Sequence, residues 1–129
     1  LGKKAVVLAG DTHNAWAASL HTHETNHEVG VEFATSSVSS PGIEYYLNVP
    51  ADEMAALEYA FQELIDELDY CNLNQRGYLT VTFNHDQVFA DWKFVDTVKA
   101  REYKIDSTRS HQMAYDVHLK PIIDVAKTA

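Results

Sequence analysis

The sequence predicts a single domain of α+β, or mixed α/β, type. Three observations carry this: an apolar run over residues 5–9 closed by Gly10, an amphipathic helical pattern over 52–68, and a switch to two-residue periodicity from Tyr78 onward. The length of 129 residues suits one core of ordinary size, and no repeat, low-complexity tract or linker divides it.

Residues 5–9, AVVLA, form a continuous apolar stretch and predict a strand buried on both faces, the kind found inside a sheet covered by helices. The alanine-rich 12–20 predicts a short helix after the Gly10 turn. Residues 21–28, HTHETNHE, are polar and patternless, which predicts a loop. In 29–35, Val29, Val31 and Phe33 alternate with Gly30, Glu32 and Ala34, as a strand requires; Pro41-Gly42 then marks a turn. Over 52–68 the residues Met54, Leu57, Phe61, Leu64, Ile65 and Leu68 recur at spacings of three and four, which places them on one helical face. Asp52 and Glu53 fall in its first turn, where the helix dipole favours anions. From Tyr78, Leu79, Val81 and Phe83 share a face, Asn84–Asp86 turns the chain, and Val88, Ala90, Trp92 and Phe94 return as a hairpin. Residues 101–106 and 112–119 have the character of two further short strands.

The formal charge of −9 disfavours a surface that holds nucleic acid or anionic lipid through phosphate contacts, because these need clustered Lys and Arg. No apolar run approaches the ~20 residues of a membrane-spanning helix. Cys71 is the only cysteine, so no internal disulfide can form, and it suits a small buried position.

The chemistry lies in VVLAGDTHNAW, residues 6–16. A strand ending in Gly-Asp-x-His delivers two side chains to the carboxyl edge of a sheet, where open α/β sheets build their sites. Asp11 offers hard oxygen and His13 a borderline nitrogen, a pair suited to a divalent or trivalent metal; Gly10 permits a sharp turn, and Asn14 adds an amide beside them. The competing reading makes Asp11 a helix cap and His13 an ordinary first-turn residue.

Four blocks, GDTHNAW, GVEFATSSVSSPG, NLNQRGYLTVTF and ADWKFVDTVKAREY, occur in an order that resembles the carboxyl-terminal part of the alkaline phosphatase D (PhoD-like) family of metallophosphatases. The resemblance spans residues 5 to about 105. It implies a metal-dependent phosphomonoesterase or phosphodiesterase, built as two packed mixed sheets flanked by helices. It also implies that Asp11 and His13 belong to a metal-ligand set, with calcium and iron the metals expected and a phosphate ester the substrate. Such enzymes are typically periplasmic or secreted. The family's other ligands lie on earlier strands, so residues 1–129 are expected to be a partial domain lacking its amino-terminal half, binding metal weakly or not at all and inactive alone. The start at Leu1, four residues before a strand, agrees with that expectation. A partial sandwich exposes an apolar face and an unpaired edge, which predicts self-association into a homo-oligomer. The alternative is a non-catalytic structural or interaction domain.

Other residues take plainer expectations. Arg76 can reach a phosphate as a bidentate donor, although an ion pair with one of the many carboxylates is the stronger expectation. His21, His23 and His27 have chelating spacing but belong to a solvated loop. Ser36, Ser37, Ser39 and Ser40 either line a pocket or let two sheets approach. Trp16 and Trp92 suit the core, Tyr45 and Tyr46 suit packing, and Asp91 and Asp96 are expected exposed or paired.

Overall fold

The computed structural model describes residues 2–119. Its strands are β1 (Ala5–Ala9), β2 (Ala15–His21), β3 (Glu28–Ala34), β4 (Leu68–Asn72), β5 (Arg76–Phe83), β6 (Gln87–Val95) and β7 (His111–Asp116), with helices α1 (Ile43–Leu47) and α2 (Met54–Leu64) between β3 and β4. They form a four-stranded sheet in the order β1-β3-β2-β4 and a three-stranded sheet in the order β5-β6-β7. In the first, β1 runs parallel to β3 and β2 is antiparallel to both its neighbours, so that sheet is mixed. The second is antiparallel throughout.

The two sheets pack face to face. Ala15, Ala17, Val31 and Phe33 of the first meet Val88, Ala90, Trp92 and Phe94 of the second, all buried. Alternation explains the β6 contribution, since the even-numbered residues point inward as a half-buried strand requires. Trp92 stacks edge-on against Phe33 at 5.6 Å, and its indole N–H donates across to the Ala34 carbonyl at 2.9 Å. A smaller cluster on the opposite side of the first sheet joins Met54, Leu68, Cys71 and Leu73 to Trp16, Ile43, Leu57 and Phe61, so the helices cover that face. Burial pushes the Cys71 thiol up to about 11, in keeping with its place as an apolar filler.

The expected hairpin over residues 78–94 is present as β5 and β6, and its turn is set by Asn84, whose side chain accepts the Asp86 and Gln87 amides at 2.9 and 2.8 Å. Gly77 is required here: a Cβ would lie 1.9 Å from the Lys93 carbonyl oxygen.

Several expectations are corrected. Residues 15–21 form a strand, because pairing with β3 on one side and β4 on the other outweighs alanine's helix preference. β1 is an edge strand, not an interior one: Val7 and Leu8 are 40% and 56% exposed, and among the described residues nothing pairs with its outer side. The helical pattern of 52–68 breaks at Ile65, which is extended; Leu64 points to solvent and Leu68 is buried as the first residue of β4. Residues 101–106 contribute a single bridge, Ile105 to Val95, not a strand. Tyr45 and Tyr46 are exposed, packing edge-on against each other rather than into the core. The helical flanks amount to one five-residue and one eleven-residue helix, both on one side.

Replacing Trp92 by Phe keeps an aromatic ring in place but leaves the buried Ala34 carbonyl without its donor. Urea denaturation is expected to show a loss of about 1–3 kcal/mol with an unchanged slope.

Candidate functional site

β1, β3 and β4 end, and β2 begins, at one edge of the mixed sheet. The edge gathers residues 10–14, the serine segment after β3, and residues 72–74 after β4. No helix follows Gly10, so Asp11 caps nothing, and the capping reading of Asp11 is excluded.

The left-handed positions of the turn are Asp11 (φ 71°) and His13 (φ 61°), while Gly10 has no positive φ. Two non-glycine residues in this region within three positions store backbone strain, which persists where surrounding structure holds it. The holding groups are identifiable. The Thr12 amide bonds the Gly10 carbonyl at 2.9 Å, and the Trp16 indole donates to the Thr12 hydroxyl at 2.9 Å. Asn14, 2% exposed, donates from Nδ2 to the Leu73 carbonyl at 2.7 Å and accepts the Ile43 amide on Oδ1 at 3.3 Å. It therefore ties the end of β4 to the start of α1. Gly42 is fitted against it, since a Cβ there would stand 2.6 Å from Asn14 Nδ2.

His13 Nδ1 lies 2.9 Å from the Pro41 carbonyl oxygen. A carbonyl only accepts, so Nδ1 carries the hydrogen, and in the neutral imidazole it is Nε2 that holds the lone pair. This is the tautomer a metal-ligating imidazole needs, oriented by a backbone acceptor as such ligands commonly are. Asp11 is exposed on the same loop. The oxygen and nitrogen donors of this loop fit the chemistry of a hard or borderline metal.

Arg76 is buried and engaged. Its guanidinium pairs with the Glu44 carboxylate through Nη2 and donates to the Gln75 carbonyl from Nη1 at 3.0 Å. The ion-pair expectation for Arg76 thus describes its position. Glu44 also takes the Gly42 amide at 3.2 Å, so the pair anchors the Pro41-Gly42 turn whose carbonyl orients His13. Among the described residues, Glu44 Oε2 and Ser36 Oγ are buried without a hydrogen-bond partner. Ser37 closes its own turn, donating to the Ser40 carbonyl at 2.5 Å. The serines therefore build a loop, and Ser36 alone turns inward. His21, His23 and His27 do not converge; the Thr22 hydroxyl and backbone organise that loop instead. Asp91 pairs with Lys93 at 2.9 Å, and Asp96 is exposed and accepts the Lys104 amide.

Sequence reasoning did not find Pro41 or Glu44. Glu44 had one available signal, being an acid two residues past a Pro-Gly turn in a chain where buried Arg76 needs a partner. The Pro41 carbonyl had none, since backbone acceptors carry no residue signature.

The family model for PhoD-like phosphatases matches residues 2–92. The chain belongs to the PhoD-like phosphatase family. The matched span contains Asp11, His13, Asn14 and Arg76. A solved structure titled "Structure of PhoD" is similar at a TM-score of 0.62 and 22% identity, a likeness of fold, over 92% of this chain and 23% of that one. The chain spans less than a quarter of that PhoD chain. A comparison with curated protein sequences gave no match.

Asn14→Ala leaves the Leu73 carbonyl and Ile43 amide unpaired. It is expected to lower unfolding free energy by about 2 kcal/mol in denaturant titration. Asp11→Gly, which relieves the left-handed strain, is expected to raise it by up to about 1 kcal/mol in the same measurement.

Proposed function

We propose that this chain is the carboxyl-terminal part of a phosphoric ester hydrolase and that it contributes Asp11 and His13 to the metal-ligand set of that enzyme. The observation that carries the reading is the His13 imidazole, fixed by Pro41 with Nε2 bare, beside an exposed carboxylate on a strained loop at the sheet edge. When bound, the metal, calcium or iron in this reading, supplies the positive charge that polarises the phosphate and that a chain of net charge −9 lacks. The chain's own residues do the placing. Pro41 sets the imidazole tautomer, Asn14 holds the loop between β4 and α1, and the Arg76–Glu44 pair holds the turn that carries Pro41. Asn14 and Arg76 thus serve as positioning residues. With two ligands, the isolated chain binds metal weakly and is inactive, and the parent protein acts on phosphate esters outside the cytoplasm.

The test compares hydrolysis of chromogenic phosphomonoesters and phosphodiesters by this chain and by the full-length parent, with calcium, iron, manganese and zinc supplied in turn. Activity is expected in the parent alone. Asp11→Ala and His13→Ala in the parent are each expected to cost more than the ~100-fold that changes to outer-shell partners reach, with the circular dichroism spectrum unchanged. Retained turnover in either variant removes that residue from the ligand set.

A second reading concerns the chain by itself. The open edge of β1, with Val7 and Leu8 exposed, favours pairing with another copy. Sedimentation at micromolar concentration is expected to show dimers or larger species, shifted toward monomer by Val7→Lys. A clean monomer overturns this reading.

A further inference from the structure

The β5–β6 turn carries His85 and Asp86 at the end of the molecule remote from Asp11. β5 begins at Arg76, whose partner Glu44 belongs to the candidate site, and runs eight residues before the turn, about 25 Å of strand. There the turn meets the segment after β7. The Val117 amide bonds the Asp86 carbonyl at 3.1 Å, and Lys3 bridges to His118. The result is a cluster of three side chains from two separate segments, His85, Asp86 and His118, with one ligand atom of each lying within 4.8 Å of the others.

The arrangement is more than proximity. Asp86 Oδ1 accepts the His85 Nδ1–H at 2.8 Å, a ring hydrogen that a metal would replace, and stands 3.5 Å from His118 Nε2, close to the separation between ligand atoms around a small four-coordinate ion. His118 is oriented from behind: Asp116 Oδ1 accepts its backbone amide and, at the same 2.8 Å, its ring Nδ1–H. That contact leaves the Nε2 lone pair facing the cluster, the carboxylate–histidine arrangement that raises imidazole basicity toward a metal. The turn is preset by Asn84, which accepts the Asp86 and Gln87 amides. A cation already occupies the acceptors: Lys3 Nζ lies 2.7 Å from both His118 Nε2 and the His85 carbonyl oxygen. All three side chains are open to solvent, so entry is unobstructed and a fourth position is left for water.

We propose that His85, Asp86 and His118 form a binding site for a borderline divalent cation of the zinc type, held by two imidazoles and one carboxylate, with Lys3 as the ammonium it displaces. Imidazole-rich sets select zinc, nickel and copper over calcium and magnesium, so this site differs in metal class from one built on hard oxygen ligands. Bound metal clips the hairpin turn to the segment that follows β7. It closes the stretch between Asp86 and His118, which otherwise relies on backbone bonds at an exposed end.

The experiment is titration of the 129-residue chain with zinc chloride, followed by imidazole proton–nitrogen correlation spectra that resolve each histidine. The resonances of His85 and His118 are expected to shift together and saturate at one equivalent. Asp116→Asn is expected to weaken binding ~10–100-fold, as loss of an outer-shell carboxylate does, and Lys3→Gln to tighten it. His85→Gln and His118→Gln, both at exposed positions, are expected to abolish the saturable shift while leaving the amide spectrum folded. Zinc that moves only His13, His21, His23 or His27, or that binds His118→Gln as tightly as the unchanged chain, overturns the proposal.

Discussion

The contact on which this fold depends is the one Trp92 makes between its sheets. The indole of β6 enters the first sheet, lies edge-on to Phe33, packs at 5.1 Å from Tyr70, and donates to the backbone of Ala34. It is a packing contact and a directed bond at once, so it fixes the sliding of one sheet over the other as well as their separation. Its bulk is accommodated because the facing positions on β2 are alanines, Ala15 and Ala17, both fully buried. Large against small across the interface is what a close-packed interior requires.

Ala34 is also the last residue of β3, so the bond that sets the sheets sets the exit of the strand beside β1. From there the serine segment runs to Pro41, whose carbonyl orients His13. The positions of Asp11 and His13 thus follow from the core through a short chain of backbone and amide contacts, with Asn14 and the Arg76–Glu44 pair as its anchors. This explains how a loop with two left-handed non-glycine residues stays ordered in one conformation. The strain is opposed by contacts anchored on the buried Asn14 and Arg76.

Much of this was legible in the sequence where one strong signal acted alone. The alternation through Val88, Ala90, Trp92 and Phe94 specified both a strand and its buried face, and the Gly-Asp-x-His junction specified a strand end. Legibility failed where tertiary pairing competed with local preference. Ala15, Ala17 and Ala18 favour a helix locally, yet they occupy an interior strand, where the small side chains of Ala15 and Ala17 let the second sheet approach. The helical pattern ran past Leu64 because Leu68 belongs to the next strand, where a register shift between Ala17 and Ala18 lets Leu68 and Cys71 join the same cluster. An apolar strand with one open edge has the same composition as an interior one, so β1 could not be placed from its residues. The cluster at His85 was invisible because His118 lies more than thirty positions away from Asp86 and meets it only through topology.

If Asp11 and His13 are metal ligands, as proposed, the open edge of β1 and an incomplete ligand set at its end express one requirement. Val7 and Leu8 lack neighbours on the same strand that leads into Asp11, so any strand that paired there would run its terminus to the edge that holds Asp11 and His13. In that reading, covering the apolar surface and completing the ligand set would be achieved by the same addition. Under the proposed reading, the free energy of sheet pairing assembles the site, and metal binding in turn favours the paired form, because ligands from both parts are needed to hold it. A chain that spans less than a quarter of a PhoD chain would then keep its loop geometry, which its own core supplies, and lack the affinity, which requires the added strands.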